Sequence, residues 1–291
     1  MKRPTTMFAM SISPVWAPTT QNLVWADAHS HLQDPRLAPH LPNILDRARA
    51  AGVQLLHVAA TREADWPAVA ALADQHPGLV ISSFGLHPWF IQDRSARWLQ
   101  NLRDRLAARP AGIGEIGLDA RVGDGLDVDR AAVFRAQLEL SYELARPASL
   151  HCRDAWGAML EILLALPPHP AGILIHAYSG PPEALPALAQ KNVHISFGGT
   201  LTRPKNVRAR DNAARAPAGH FLLESDAPDL PPTLPAGVAP HLTGADGKPL
   251  SEPGNIPWIG HHLAEIRGTS AGDIAAQTTA TARRLFHNML T

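Results

Sequence analysis

Apolar and polar positions form two kinds of segment that alternate along the chain. Short runs of apolar, often β-branched residues predict strands buried on both faces. Longer segments with apolar residues three and four positions apart, such as 44–51 and 133–144, predict amphipathic helices. The predicted strands are residues 23–26, 53–58, 79–84, 111–116, 147–150, 172–175, 193–197 and 221–223. Eight such repeats predict an α/β fold, a closed (β/α)8 TIM barrel, with a doubly wound open sheet as the alternative.

The segments outside this repeat define the expected domain organisation. Residues 1–22 lack a continuous apolar core, so we interpret them as a disordered N-terminal extension rather than a secretory signal. Residues 23–291 are predicted to form a single barrel domain. Within it, residues 230–257 are rich in Pro and Gly and predict a long irregular loop. No apolar run approaches the roughly 20 residues of a membrane span, so no membrane association is expected.

Composition narrows the expected partners and compartment. Lys and Arg number 26, as do Asp and Glu, so the formal net charge is +0 and an extended basic surface for nucleic acid is not expected. Cys152 is the only cysteine, which excludes an internal disulfide and a cysteine-rich zinc site and fits a reducing cytoplasm. No glycine signature for a nucleotide cofactor is present. No obligate protein partner is evident, and a monomer or weak oligomer is expected.

Chemically active side chains cluster where the predicted strands end. His29 and His31 follow the first strand, and residues two apart in an extended chain point to the same side. The later strand ends carry His87, Glu115, His151, His176 and Asp226. Because the carboxyl ends of barrel strands share one face, these side chains are expected to converge. Other histidines, among them His57 and His169, are interpreted as structural or surface residues.

Imidazoles and carboxylates in this combination form a metal-ligand set. Structural zinc sites are closed and usually richer in cysteine, whereas a mixed set of this kind is typical of a binuclear divalent-metal site. Two ions about 3.5 to 4 Å apart hold a bridging hydroxide and polarise a phosphoryl or carbonyl oxygen. Two divalent cations are therefore the expected cofactors, and zinc, manganese, magnesium and nickel are all compatible with the ligands. The predicted chemistry is metal-assisted hydrolysis.

The segments around these residues resemble a known family. They are Asp27-Ala28-His29-Ser30-His31-Leu32, Gly85-Leu86-His87-Pro88, Gly114-Glu115-Ile116-Gly117-Leu118-Asp119, His151-Cys152-Arg153-Asp154-Ala155, His176-Ala177-Tyr178-Ser179-Gly180 and Glu224-Ser225-Asp226-Ala227-Pro228. In this order and spacing they resemble the TatD family of metal-dependent deoxyribonucleases and hydrolases, within the amidohydrolase-like barrels. The resemblance runs from Asp27 to Phe286 and implies an enzyme that hydrolyses ester bonds.

The resemblance also implies a role for each site residue. The expected ligands are His29, His31 and Asp226 for one ion, His151 and His176 for the other, and Glu115 as the bridge between them. Asp226 would also orient the hydroxide and accept a proton, so Asp226 and Glu115 are the expected catalytic residues. His87 and Arg153 would line the phosphate pocket, since the guanidinium fork matches phosphate oxygens. The structural alternatives are an ion pair of Arg153 with Asp154 and a local hydrogen bond of His87.

The implied reaction is hydrolysis of phosphodiester bonds in single-stranded or fragmented DNA, in the manner of an exonuclease, or of a small phosphoester. The alternatives are a small-molecule ester, lactone or amide, the ester of a charged tRNA, and a metal-binding protein without catalysis. Thr281 stands where the family commonly has Asn, and the loop 230–257 is longer than usual, so the substrate is less well defined than the metal site. Trp89 and Phe90 either stack on a nucleobase or close the barrel top, and closure is preferred. Cys152 is expected in the core.

Overall fold

Eight parallel strands form the centre of the molecule. A computed structural model describes residues 23–122 and 127–290, so the predicted extension 1–22 lies outside the described residues. Within them each strand is hydrogen-bonded to the next in sequence order. The strands are β1 (Trp25–Ser30), β2 (Val53–Ala59), β3 (Val80–Phe84), β4 (Gly112–Asp119), β5 (Ala148–Arg153), β6 (Ile173–Ile175), β7 (Val193–Phe197) and β8 (Phe221–Leu223).

The segment after β8 returns to β1 and closes the sheet. The backbone N–H of Asp226 donates to the carbonyl oxygen of His29 at 3.0 Å, and that of His31 donates to Ala227 at 2.7 Å. The buried Asp27 carboxylate on β1 accepts hydrogen bonds from both the backbone N–H and the hydroxyl of Ser225. The predicted TIM barrel is confirmed, and the doubly wound open sheet is wrong because the first and last strands meet.

Helices alternate with the strands, as the apolar spacing predicts. Over the described ranges the α-helices are α1 (Leu41–Ala50), α2 (Trp66–Gln75), α3 (Trp98–Ala108), α4 (Val128–Glu143), α5 (Trp156–Ala165), α6 (Leu185–Gln190), α7 (Val207–Arg215), α8 (Ile256–Arg267) and α9 (Ala271–Leu285). Asp127 caps α4 by accepting a hydrogen bond from the backbone N–H of Arg130 at 2.6 Å. Ser270 and Asp273 form a capping box at the start of α9. None of the helices in the described part of the chain has the length and apolar character needed to cross a membrane.

Four strands extend beyond their predicted ends. β1 ends at Ser30 instead of residue 26, β4 at Asp119 instead of residue 116 and β5 at Arg153 instead of residue 150, and β2 is longer by a single residue. The additional residues include His29 and His151, whose polar side chains interrupt the apolar pattern that marks a buried strand. These two histidines therefore lie on hydrogen-bonded strands rather than on loops, which fixes their backbone positions.

A glycine on β4 permits close contact between two strands of the site. Gly117 has φ +150°, and a Cβ atom there would lie 2.0 Å from the carbonyl oxygen of His151. Only glycine leaves room for β5 at this point. The absence of a side chain at Gly117 therefore sets the distance between Glu115 and Asp119 on β4 and His151 on β5.

The long loop after β8 is irregular, as predicted, and is fastened at its end. It contains an antiparallel bridge between Thr243 and Pro249. Near its end, the Arg47 guanidinium on α1 donates hydrogen bonds at 2.9 Å to the carboxylate of Glu252, which is buried. This buried ion pair attaches the end of the loop to the barrel wall.

Three buried histidines outside the site make stability depend on pH. Burial lowers the pKa of His57, His169 and His194 to about 4. All three are neutral in the folded protein, and one, His169, lies 3.0 Å from the Ser141 hydroxyl. Between pH 6.5 and 4 the unfolded chain binds more protons than the folded chain at these positions, so stability falls as pH falls through this window.

We expect His169→Asn to weaken this dependence. In the wild type, the penalty for keeping His169 neutral at pH 5 is about 2 kcal/mol, and it disappears above pH 6.5. The loss of unfolding free energy between pH 7 and pH 5, measured by urea titration of chelated protein, should therefore be about 2 kcal/mol smaller in the variant. An equal loss in both proteins would contradict the role given to His169.

Candidate metal centre

The six predicted metal ligands lie together at the carboxyl end of the barrel. They are His29 on β1, Glu115 on β4, His151 on β5, and His31, His176 and Asp226 in the segments that follow β1, β6 and β8. All six are buried or largely buried. Three groups of neighbouring His and carboxylate atoms with spacing suited to a cation are formed around Glu115 and Asp226. Residues far apart in the sequence thus share one buried polar site.

Glu115 lies at the centre of this site, and its two oxygens face different imidazoles. Oε2 is 3.1 Å from Nε2 of His31 and 3.3 Å from Nε2 of His29. Oε1 is 3.0 Å from Nε2 of His176 and 3.1 Å from Nδ1 of His151. One carboxylate therefore contacts two separate pairs of ring nitrogens, one pair through each oxygen.

The hydrogen bonds of His31 and His151 define which of their ring nitrogens are free. Nδ1 of His31 donates to the carbonyl oxygen of Ala59 at 2.9 Å, since a carbonyl only accepts. Nε2 of His151 lies 3.0 Å from Oδ2 of Asp119 and donates to that carboxylate. The other nitrogen of each ring faces Glu115: it donates to that carboxylate when the ring is protonated and offers a lone pair to a cation when the ring is neutral. A ring held by its second nitrogen in this way is typical of metal-ligating histidines.

The two remaining imidazoles stack on each other. The ring centroids of His29 and His176 are 4.2 Å apart, with an interplanar angle of 15°. Nδ1 of His29 lies 3.0 Å from the Ser149 hydroxyl, which holds the ring. Nδ1 of His176 is buried without a hydrogen-bond partner in the described residues, 3.8 Å from a carboxylate oxygen of Glu224. A buried ring nitrogen in this position is costly unless a further group satisfies it.

Asp226 lies opposite Glu115, near both groups of imidazoles. Its Oδ1 is 3.8 Å from Nε2 of His31, 4.0 Å from Nε2 of His29 and 3.9 Å from Nδ1 of His176. Burial raises the pKa of Asp226 to about 7. A divalent cation bound beside such a carboxyl favours its ionised form. The side chain is thus placed to ligate a cation or to exchange a proton next to one.

The electrostatics of the cluster favour bound positive charge. Burial opposes protonation of His31, but the Glu115 carboxylate outweighs it and raises the pKa of His31 to about 9. Burial likewise disfavours ionisation of Glu115, yet the neighbouring His87 and His176 hold the pKa of Glu115 well below its usual range. In the absence of a metal ion, the cluster thus retains a proton on His31 and a negative charge on Glu115. Because metal ligands must be deprotonated, metal binding here would release protons.

His87 lies beside the cluster but differs from the other imidazoles. Its Nδ1 accepts a hydrogen bond from the backbone N–H of Trp89 at 3.2 Å, so Nε2 carries the proton in the neutral ring. That Nε2 lies 3.3 Å from Oε1 of Glu115. Burial lowers the pKa of His87 to about 4, which keeps the ring neutral. The local hydrogen bond anticipated as an alternative is present, and it leaves an N–H donor facing the site.

Two carboxylates that sequence reasoning left without a role lie next to the ligand rings of His151 and His176. Asp119 is buried and accepts hydrogen bonds from His151 and, at 2.7 Å, from the indole N–H of Trp89. Glu224, also buried, accepts hydrogen bonds from the hydroxyl of Ser196 and the backbone N–H of Ala177. Asp119 is the last residue of the motif segment 114–119, and Glu224 is the first residue of the segment 224–228. Their place in these segments is the only feature of the sequence that could have indicated a role for them.

Arg153 borders an open cleft of about 750 Å³ above the cluster. Its guanidinium is exposed and makes no hydrogen bond or ion pair with any described residue. The proposed alternative, an ion pair with Asp154, is wrong because the Arg121 guanidinium occupies that carboxylate. Arg62, which sequence reasoning missed, also lines the cleft, with its guanidinium carbon 4.5 Å from the centre of the Phe90 ring.

The aromatic and thiol side chains near the cleft differ in exposure. Trp89 is 49% exposed, so the preferred interpretation that it closes the barrel top is wrong for this residue. Cys152 belongs to the hydrophobic core as predicted, although it also borders the cleft. Burial raises the pKa of the Cys152 thiol to about 12, which keeps it protonated and unsuited to act as a nucleophile.

The chain is similar in sequence and in fold to known proteins. The family described as TatD related DNase matches residues 26–287. A 3'-5' ssDNA/RNA exonuclease TatD from Erwinia tasmaniensis is 32% identical over 264 residues, covering 90% of this chain and 99% of that protein. The uncharacterized metal-dependent hydrolase YjjV from Escherichia coli K12 is 31% identical over 267 residues, covering 90% of this chain and 97% of that protein.

The solved structure of the Escherichia coli YjjV protein superposes with a TM-score of 0.82 at 28% sequence identity, covering 92% of this chain and 99% of that structure. The family match extends over nearly all of the described residues and includes every motif segment that carries a candidate ligand. The protein described here therefore belongs to the TatD-related DNase family of metal-dependent hydrolases.

Proposed function

We propose that this protein cleaves phosphodiester bonds in single-stranded or fragmented DNA, as an exonuclease, with two divalent cations in the buried cluster. The observation that carries the proposal is the position of Glu115, because its two oxygens face two separate pairs of imidazole nitrogens. In this proposal the ligands are His29, His31 and Asp226 for one cation, His151 and His176 for the other, and Glu115 for both. The exonuclease named TatD supports nucleic acid as the substrate class.

The donor set fits such cations. Free ring nitrogens of His31 and His151, held by hydrogen bonds at their other nitrogens, are directed at one carboxylate. Nδ1 of His176 is buried without a described hydrogen-bond partner beside two further carboxylates. When bound, two divalent ions supply Lewis-acid polarisation of the scissile phosphoryl group and an activated water. Imidazole and carboxylate ligands suit zinc, manganese and nickel, and carboxylates also suit magnesium.

The surrounding side chains supply the remaining steps. Asp226 would accept a proton from the attacking water. Its Oδ1 lies within 4.0 Å of three of the ring nitrogens that would hold the cations, so it would also lie close to the water that they activate. His87 donates a hydrogen bond through its Nε2–H to a phosphoryl oxygen in the cleft. Arg153, exposed at the cleft and without an ion-pair partner among the described residues, binds a second phosphoryl oxygen and orients the substrate.

The decisive experiment incubates metal-reconstituted protein with single-stranded DNA labelled at either end. We expect stepwise shortening, with polarity given by which labelled end is released first, and its loss after chelation. Intact DNA in the presence of a protein that retains two metal ions would overturn the proposal. In that outcome, hydrolysis of carbonyl esters, lactones or small phosphoesters by the same sample would identify the alternative substrate class.

Arg153→Ala should weaken substrate binding more than turnover. A hydrogen bond to a charged group contributes about 1.5–3 kcal/mol, so we expect KM for a single-stranded oligonucleotide to rise roughly 10- to 100-fold. Arg153→Lys should recover part of this loss, since lysine keeps the charge but not the fork. Steady-state kinetics with varied oligonucleotide concentration measure both effects.

Arg121→Ala is the matched control for Arg153→Ala. Arg121 is an exposed arginine near the same end of the barrel, but its guanidinium is already paired with Asp154. We expect KM of the Arg121→Ala variant to stay within about threefold of the wild type, because an exposed ion pair contributes little. Equal increases in KM for the two variants would indicate a general effect of charge rather than a phosphate contact at Arg153.

Two further proposals concern the cellular location and the oligomeric state. We propose a cytoplasmic location, supported by the buried free thiol of Cys152. A monomer or weak oligomer is proposed as well, because all six ligands of the cluster come from one chain.

A further inference from the structure

A single exposed aromatic ring borders the metal cluster. Several large apolar side chains of the described residues remain exposed, and Trp89 is the only aromatic one among them. Its ring centroid is 5.1 Å from that of His87 and 6.3 Å from that of His151. All three side chains line the same cleft. A molecule bound at the cluster through His87 therefore also reaches the indole.

The indole of Trp89 is held in place by a buried carboxylate. Its N–H donates a hydrogen bond of 2.7 Å to Oδ2 of Asp119. The same buried carboxylate accepts hydrogen bonds from Nε2 of His151 at 3.0 Å and from the backbone N–H of Arg121 at 2.8 Å. Trp89 and the ligand ring of His151 are thus fixed through one acceptor. A ring that is already ordered loses little conformational freedom when a ligand stacks on it.

Positive charge without an acidic partner in the described structure lines the same cleft as this ring. The Arg153 guanidinium makes no ion pair within the described ranges, and that of Arg62 packs on Phe90 without an acidic partner there. The ring centroids of Trp89 and Phe90 are 6.5 Å apart. An aromatic platform next to cationic side chains is the combination by which proteins bind single-stranded nucleic acid, since every base has a face to stack and every phosphate a charge.

We propose that Trp89 stacks on the nucleobase of the nucleotide whose phosphate lies at the metal cluster. This inference rests on the proposed function and adds a subsite to it. Asp119 acts as a positioning residue that holds the indole and the His151 ring in a fixed relation. Because stacking does not read the base edge, the subsite accepts all four bases and selects for a base over an abasic sugar.

The test measures binding of two product-like probes to metal-reconstituted protein by calorimetry. The probes are 2'-deoxyadenosine 5'-monophosphate and 2-deoxyribose 5-phosphate, which share the phosphate and the deoxyribose, a hydroxyl replacing the base in the second. For the wild type we expect the nucleotide to bind roughly 5- to 100-fold more tightly than the sugar phosphate. Trp89→Ala should reduce this ratio to about one, whereas Trp89→Phe, which keeps a ring but loses the N–H, should retain an intermediate ratio.

A control variant separates this subsite from a general loss of an aromatic residue. Trp258 on α8 does not line the cleft, and its indole N–H donates to the carbonyl oxygen of Thr233. Trp258→Ala should keep the wild-type ratio. A wild-type ratio near one, or a ratio unchanged in Trp89→Ala, would overturn the proposal. Circular dichroism of each variant confirms that the comparison is made on folded protein.

The same preparations distinguish failure of this inference from failure of the proposed function. Cleavage of single-stranded DNA by the wild type, with equal affinity for the two probes, overturns the stacking role alone. Absence of cleavage, with a base-dependent ratio that Trp89→Ala removes, overturns the nuclease while supporting the subsite.

Discussion

Glu115→Gln is expected to release the bound cations and abolish turnover. Glutamine keeps the size of the side chain but removes the charge between the two pairs of imidazoles that Glu115 contacts at 3.0 to 3.3 Å. Neutralising one partner of a buried charge cluster costs about 3–5 kcal/mol, which corresponds to roughly 10²- to 10⁴-fold weaker retention of the cations. Metal content after gel filtration and the rate of DNA cleavage measure the two losses.

Glu252→Gln provides the matched control for this substitution. Glu252 is also a buried glutamate in an ion pair, with Arg47, but it lies outside the cluster. We expect it to lower the unfolding free energy and to leave the metal content at the wild-type level. Retention of two cations by Glu115→Gln would contradict the bridging role, and loss of metal from both variants would indicate an effect on folding instead.

Asp226→Asn is expected to have the second largest effect. The amide keeps an oxygen near His29, His31 and His176 but no longer accepts a proton. Loss of a positioned general base typically lowers turnover by about 10²- to 10⁴-fold, so kcat should fall by this amount while KM changes little. The variant should retain its cations, because an amide oxygen still ligates. Single-turnover cleavage of a labelled oligonucleotide and metal analysis test these expectations.

Asp246→Asn in the same loop region serves as the comparison. Asp246 is exposed and pairs with Lys248, away from the cluster. The kcat of the Asp246→Asn variant should equal that of the wild type within experimental error. If Asp226→Asn turned over within threefold of the wild type, Asp226 would not be the proton acceptor. If the variant instead lost its cations, the fall in kcat would be explained by the ligand role of Asp226 alone, and the role as proton acceptor would be overturned.

The limits of the sequence pattern are clearest on the strands that carry the site. His29 and His151 follow their apolar runs and so indicate strand ends, yet both belong to hydrogen-bonded strands. Apolar periodicity marks residues that pack against other apolar groups, and it stops where a buried residue is polar. A polar residue is tolerated inside this barrel where it finds a partner, as His151 does in Asp119.

Side-chain partners near the cleft illustrate the same limit. Arg153 is adjacent to Asp154 in the sequence, but β5 ends at Arg153 and the backbone of Asp154 turns away in the left-handed region, with φ +52°. Asp154 instead pairs with Arg121 from the neighbouring loop, which leaves Arg153 without an acidic partner in the described structure. Trp89 likewise looks like a core residue by type, yet its ring is half exposed and is held at the edge of the cleft by its hydrogen bond to Asp119.

The sequence by itself determined the α/β barrel, the order of its strands and the residues at their carboxyl ends, because local apolar spacing and strand direction define these features. Only the tertiary structure decided which oxygen of Glu115 faces which imidazoles, which nitrogen of His31 is free, and how Trp89 is held. These features depend on contacts between strands that are distant in the sequence. Side-chain hydrogen bonds across such strands are fixed by packing in three dimensions, and no local pattern encodes them.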